Sequence, residues 1–401
     1  MKNHIATLIF AVCAGGVFTA GMAHADFDSW YEKLQIKGDL RYRFENIQKD
    51  KTTERDRQRI RVRLSLDAPL DDYWMVKTRL ATNDMTDPVS TNETLGDVFN
   101  KDPLSLDVAA LEYKLLFDNL TLKAGKIDNP FTNVGKNQLI WDGDLTLEGI
   151  AGSAKVEVIP EANLFAKGGG FWLLEQSSNF DPMMYGGQIG FTGKIMDVKY
   201  TVGGSYYYYK DTKNQTTFVS STSGFGNSTV AMPAATRTVI TDPNGNTIPP
   251  YSTYTLTTAA ASTKYAYNYK IAEAFLELSL KVMDFPLALY ANAVKNADDS
   301  VASRNTGYTA GFVFNKAKAE GSWDIGYYAR KLDKDAVVGA FSDSDFLGGG
   351  TDGLGHVATA SYMLTDSVKL KATHFNNQIK ADLDLSRTGY HRTQVDVELS
   401  Y

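Results

Sequence analysis

From about residue 34 onward the chain alternates apolar and polar side chains with a period of two, in runs of about 9 to 14 residues, and helical spacing is scarce. The last run sets Val395, Val397, Leu399 and Tyr401 on one face against Gln394, Asp396, Glu398 and Ser400 on the other. The first sets Leu34, Ile36, Leu40, Tyr42 and Phe44 against Gln35, Lys37, Asp39, Arg41, Arg43 and Glu45. The second sets Ile60, Val62, Leu64, Leu66 and Ala68 against Arg59, Arg61, Arg63, Ser65 and Asp67. Taken alone, any of these runs also fits an amphipathic edge strand of a soluble sandwich. Sixteen such runs, beginning 34–46, 58–68 and 73–82 and ending 354–365, 368–379 and 389–401, are more strand than two packed sheets normally hold.

Each run is long enough for a tilted strand to cross hydrocarbon. The connections alternate in length: Asp118-Asn119, Pro160 with its neighbours, Met196-Asp197, Asp284-Phe285 and Asp366-Ser367 are tight, and most of the others are long. The pattern predicts an all-β fold, a transmembrane antiparallel up-and-down β-barrel of about 16 strands, with lipid on the apolar face and water on the charged one. One run changes phase, since Tyr267, Tyr269 and Ile271 lie on one parity and Ala274, Leu276, Leu278, Leu280 and Val282 on the other, which predicts a bulge near Ala272 or Glu273. The connection at about 211–264 is rich in Thr, Ser, Asn, Gly and Pro and is expected to be a long external loop. Asn244-Gly245 within it predicts a small hairpin of its own.

Composition changes this picture at the N-terminus. Lys2, an apolar run from Ile5 to Ala20 and Ala23-His24-Ala25 have the form of a cleavable secretory signal, so residues 1–25 are expected to be removed and 26–401 to form the barrel. Too few residues then precede the first strand for a plug domain. Cys13, the one cysteine, would leave with the leader, so neither disulfides nor thiolate metal sites are expected. With Lys2 also removed from the 41 basic residues, the 47 acidic ones are in excess by seven, which argues against nucleic acid as a partner. No stretch beyond the leader has the apolar length of a membrane-spanning helix.

Candidate chemistry is thin. His356, His374 and His391 are scattered, and Gly168-Gly169-Gly170 and Gly348-Gly349-Gly350 lack what must follow a phosphate loop. The first triplet predicts a strand kink, the second a flexible loop. No enzyme activity, cofactor or metal is expected, although outer-membrane hydrolases on smaller barrels keep that class in view.

A basic wall stands out instead. Lys37, Arg41, Arg43, Arg59, Arg61, Arg63, Lys77 and Arg79 share the polar parity of three consecutive runs and are expected to face water side by side in the lumen. They are either a solvated lining or one side of a transverse field. The opposing acids are expected from the third long connection, about 127–143, bracketed by Asp128, Asp142, Asp144 and Glu148 and carrying the apolar anchors Phe131, Ile140 and Trp141 that would pack it inward. Lys369 and Lys371, on late strands, are expected away from this neck.

The stretches GDLRYRFE (38–45), RDRQRIRVRL (55–64), AGKIDNPF (124–131) and WDGDLTLEG (141–149), with the terminal VDVELSY, resemble the putative porin family of Gram-negative bacteria. More loosely, the architecture is similar to the general sixteen-stranded porins. The resemblance implies an outer-membrane channel for passive diffusion of small hydrophilic solutes and ions, with outer-membrane lipid as surroundings and a homotrimer as a possible assembly. It also implies that Val397, Leu399 and Tyr401 belong to a terminal signal read by the barrel-assembly machinery. The other reading is a non-conducting barrel with a structural or adhesive role through its long loops.

Overall fold

The computed structural model describes residues 33–115, 119–177, 181–220, 222–232, 262–380 and 387–401. The leader and its cleavage triplet, Asp118 and Asn244-Gly245 lie outside the described residues. Sixteen strands carry the fold: β1 (Gln35–Lys49), β2 (Arg55–Pro69), β3 (Trp74–Thr82), β4 (Leu104–Leu115), β5 (Leu120–Asp128), β6 (Thr146–Ile159), β7 (Ala162–Trp172), β8 (Met183–Ile195), β9 (Val198–Tyr209), β10 (Tyr269–Val282), β11 (Phe285–Asn296), β12 (Thr306–Asn315), β13 (Trp323–Leu332), β14 (Gly353–Met363), β15 (Val368–Ile379) and β16 (Thr388–Ser400). Each is antiparallel to its neighbour in sequence, and β1 pairs with β16 without a break from Asp39 opposite Ser400 to Lys49 opposite Tyr390. The sheet is therefore closed and has no free edge. No helix among the described residues is long and apolar enough to cross a membrane.

Burial decides between a soluble sandwich and a membrane barrel. On β1 the buried side chains are Arg41, Arg43 and Glu45, while Leu40 and Tyr42 point outward and are exposed. The same inversion holds around the barrel, with Ile150, Ile189, Phe191, Leu276 and Leu289 exposed on the outside. Water would penalise so much apolar outer surface, whereas hydrocarbon accepts it. Rings gather at the end with the tight turns: Trp74 lies 4.3 Å from Tyr113, and Phe285 and Phe314 sit 5.7 and 5.8 Å from Trp323. Such a belt marks the interfacial depth of a membrane barrel.

The turn chemistry explains which end is which. Residues 283–284 join β10 to β11 with both Met283 and Asp284 at positive φ, the conformation of a two-residue hairpin whose twist matches its strands. At the opposite end the connections include 83–103 (L2), 129–145 (L3), 210–268 (L5) and 333–352 (L7). Part of L5 carries a short ladder, Thr229–Met232 against Ser262–Tyr265, and residues 233–261 between them fall outside the described residues.

Two expectations are corrected. No bulge interrupts β10, which keeps register with β9 from Tyr269 onward and with β11 from Ile271 onward. Tyr269 and Ile271 belong to the inward parity with Glu273 and Phe275. They are apolar because a folded-in loop, not water, covers that part of the lumen. Likewise the triplet Gly168-Gly169-Gly170 is not a kink. It runs in register against Gly187, Gly186 and Tyr185, and a Cβ on Gly186 would stand 2.5 Å from the Phe131 ring of L3.

Candidate constriction of the lumen

L3 crosses the barrel interior. It starts at the wall of β7 to β9, where Phe131 packs edge-on to Tyr207 at 4.9 Å and Trp141 to the same ring at 5.2 Å. Thr132 N donates to Gln188 Oε1 at 2.8 Å and Gly135 N to Glu277 Oε2 at 2.7 Å, so successive loop residues are fixed to β8 and then β10. The far end reaches β2, with Asp144 3.5 Å from Arg63 and 4.0 Å from Arg61. Ile140 and Trp141 are buried against the wall.

A second loop meets it. In L7 the Phe341 carbonyl accepts from Asp142 N at 2.8 Å, and Ser344 N donates to Asp142 Oδ2 at 2.8 Å. Asp343 binds Arg330 at 2.8 Å, and Asp345 binds Arg392 at 2.8 Å and Arg43 at 3.2 Å. Sequence reasoning missed this partner. The usable signal is the apolar run Ala336-Val337-Val338-Gly339-Ala340-Phe341 inside an otherwise acidic connection, the same signature that marks L3.

The basic wall is largely neutralised. Glu45, with no exposed surface, accepts from Arg57 and Arg392, each at 2.5 Å, and lies 3.5 Å from Arg43 and 3.6 Å from Arg59. Asp396 holds Arg43 at 2.6 and 2.9 Å. Asp39 bridges Arg61 at 2.8 Å and Arg63 at 2.6 Å. Arg79 binds Asp107 and Asp128 at 2.5 and 2.9 Å, Lys77 binds Glu112 at 3.0 Å, and Lys37 binds Asp67 at 3.0 Å. These arginines are thus not simply water-facing: Arg41 and Arg43 are 8% and 4% exposed and form part of a packed polar core.

Between the wall and the two loops lies a cavity of about 440 Å³, lined by Arg41, Arg43, Arg61 and Arg63 on one side and by Asp142, Asp144, Asp343 and Asp345 on the other. Arg61 and Arg63 also border a cavity of about 560 Å³ at the tight-turn end, which Lys37 and Arg79 share. Arg59 opens instead on a cavity toward the long-loop end. Two expected residues fall elsewhere. Glu148 lies on β6 between buried Leu147 and Gly149, so it points outward with Ile150 and pairs with Lys126 at 2.8 Å. The bracket of acids runs past the end of the loop into a strand, and period two turns Glu148 away. Asp128 serves Arg79 outside the neck. Lys371, expected to be remote, lines the same neck cavity as Arg41, because closure of β1 on β16 brings β15 round to it.

The loop acids do not titrate alike. Burial, reinforced by Asp144 and Asp343, pushes Asp142 well above the usual carboxylate range, against the amides of Asp144 and Ser344 that its oxygens accept. Burial also opposes ionisation of Asp144, but Arg61, Arg63 and Arg41 outweigh it and hold the group low. Asp345 is held low in the same way, burial being overcome by Arg392 and Arg43.

The profile of the family described as Putative porin matches residues 46–386. The chain belongs to that family. No curated protein matches the sequence. Among solved structures, this porin-family barrel is similar to OprB of Pseudomonas putida, with a TM-score of 0.56 and 12% identity over 92% of this chain and 94% of the other. It also matches a triple mutant of the Rhodopseudomonas blastica porin, with a TM-score of 0.46 and 12% identity over 92% of this chain and all of that one. At such identity the first likeness concerns the fold alone.

Proposed function

We propose that this barrel is an outer-membrane porin, a passive channel for small hydrophilic solutes and ions, exported by its cleaved leader and without bond chemistry of its own. The observation that carries the reading is the neck, where charged side chains from β1, β2, L3 and L7 surround a cavity of about 440 Å³ that shares Arg61 and Arg63 with the cavity at the tight-turn mouth. Rings of fixed charge around water order the solvent, disfavour apolar solutes and let ions through, as in other charged pores. A homotrimer and recognition of the Val397, Leu399 and Tyr401 strand by the assembly machinery belong to the same reading.

A second reading has its own support: Tyr209, Phe218, Tyr265 and Phe341 pack with Trp141 over part of the long-loop end. A barrel stoppered there would serve through its loops as an adhesive or structural protein. Planar-bilayer recording separates the two. Stable conductance steps in KCl are expected, and a folded barrel that inserts without conducting would rule out the channel.

A further inference from the structure

Of the six cations that line the neck, Arg43, Arg61 and Arg63 are ion-paired, whereas Arg41, Lys371 and the loop residue Lys136 make no ion pair among the described residues. Arg41 is 8% exposed, and its Nη2 donates to Asn92 Oδ1 of L2, an amide that brings no charge. Its buried Nε has no partner. Directly across from Arg41 stands Arg61 on β2, and a like-charged pair on facing strands is unfavourable unless something screens it. Arg61 is screened by Asp39 and Asp144. Glu398, opposite Arg41 on β16, is taken by Lys369 at 2.6 Å. Lys371 repeats the situation, since Asp396, its facing residue, is held at two atoms by Arg43.

Arg41 and Lys371 stand on β1 and β15, two strands apart and two residues out of level, and so about 12 Å from each other at the backbone, and both line the neck cavity. A buried cation with no carboxylate in direct contact is costly, and a guanidinium offers paired donors suited to a carboxylate. Other parts of the same cavity are apolar, with Tyr290, Tyr328, Val313 and Val357 in its lining. The volume is that of a small-molecule site.

We infer that the neck holds a binding site for a small organic carboxylate, its anionic end on Arg41 and Lys371 and its carbon skeleton toward Tyr290 and Val313. The site rests on the channel reading but is measured apart from it. A permeating carboxylate would supply the direct ion pair that the neighbouring acids, engaged elsewhere, do not make, dwell briefly and leave. Neutral solutes of the same size lack this stop, so the site gives the pore a preference among solutes that width alone would pass.

Calorimetric titration of succinate into the folded, detergent-solubilised full-length barrel, at fixed ionic strength, tests it. Saturable binding of one succinate per barrel is expected, weakened by about tenfold or more in Arg41→Ser and less in Arg41→Lys, because a charge-assisted hydrogen bond is lost in the first and a charge retained in the second. Lys371→Ser should weaken binding too, and it serves if Arg41→Ser fails to fold. Wild-type heats that do not saturate overturn the site, as does succinate binding unchanged in either serine variant. Sulfate bound as tightly as succinate would overturn the organic assignment, since the apolar lining would then contribute nothing. Bilayer currents from the same samples separate the two claims: binding without conductance sinks the channel and leaves the site, while conductance in KCl with no succinate binding does the reverse.

Discussion

Glu45 has no exposed surface and sits within 3.6 Å of Arg43, Arg57, Arg59 and Arg392. One carboxylate thereby screens four guanidiniums, and its value lies less in any single pair than in the repulsion it suppresses. Glu45→Gln keeps the shape and removes the charge, so it should cost about 3–5 kcal/mol, the range for breaking a buried ion pair. The expected readout is a clear drop in the temperature at which the folded band converts in a heat-modifiability gel. Unchanged conversion would mean that water screens these arginines and that their burial has no energetic weight. Asp142 is the opposite case. Its raised pKa means that the folded protein binds a proton the unfolded chain would release, so this acid's stabilising contribution is present at low pH and is lost as pH rises through the raised value. Protonation also removes a negative charge from the neck. Anion preference, read as reversal potential in a KCl gradient, should therefore increase as pH falls through that value. Asp142→Asn should flatten the dependence, while Asp345, held low by Arg392 and Arg43, stays ionised throughout.

At the scale of elements, closure rests on β1 and β16. Their ladder ends where Tyr401 N donates to the Gly38 carbonyl at 3.2 Å, and the Tyr401 ring lies over Gly38 so closely that a Cβ there would stand 2.5 Å from its hydroxyl. Glycine is needed at this point because the ring occupies the space a side chain would fill, an arrangement that shields the bare backbone. Deleting Tyr401, or replacing it by Asp, should reduce the amount of heat-modifiable barrel recovered from outer membranes. Gly38→Val should do the same by displacing the ring. Assembly at the normal level in both variants would leave the strand end without the anchoring role that its packing suggests.

For the molecule as a whole, net charge and local charge point in opposite directions. The full chain carries −6 at neutral pH, yet the neck cavity is lined by six cationic side chains and four aspartates, of which Asp142 favours its neutral form. Ions respond to the nearest fixed charges because salt screens the rest within about 10 Å. The proposed pore should therefore favour anions. Arg61→Ser with Arg63→Ser leaves Asp39 and Asp144 without their cations and should move the reversal potential toward potassium, by about 1 kcal/mol of barrier per charge at surface-like dielectric. Lys371→Ser should shift it in the same direction and Lys369→Ser much less, since Lys369 sits with Glu398 at the tight-turn mouth. Equal selectivity in all of these would reduce the arginines to a solvated lining.

Local alternation settled more of this protein than any motif. Period two in the sequence separated Arg41 and Arg43 from Leu40 and Tyr42 and predicted about sixteen strands, because both depend only on neighbours along the chain. What sequence could not decide is which charges meet. Asp345 and Arg43 lie 302 residues apart, and Asp396 and Arg43 lie 353 apart, and only closure of the barrel and the inward fold of L7 bring them to hydrogen-bond distance. The same closure carries Lys371 into the neck, and the start of β6 at Thr146 carries Glu148 out of it. Pairing at long range is set by shear, loop path and the shared volume of the lumen, quantities that exist only once the sheet has joined its own edge. Hence the fold was legible from the residues, while the ion pairs of the basic wall, and the cations that have none, became visible only in the closed barrel.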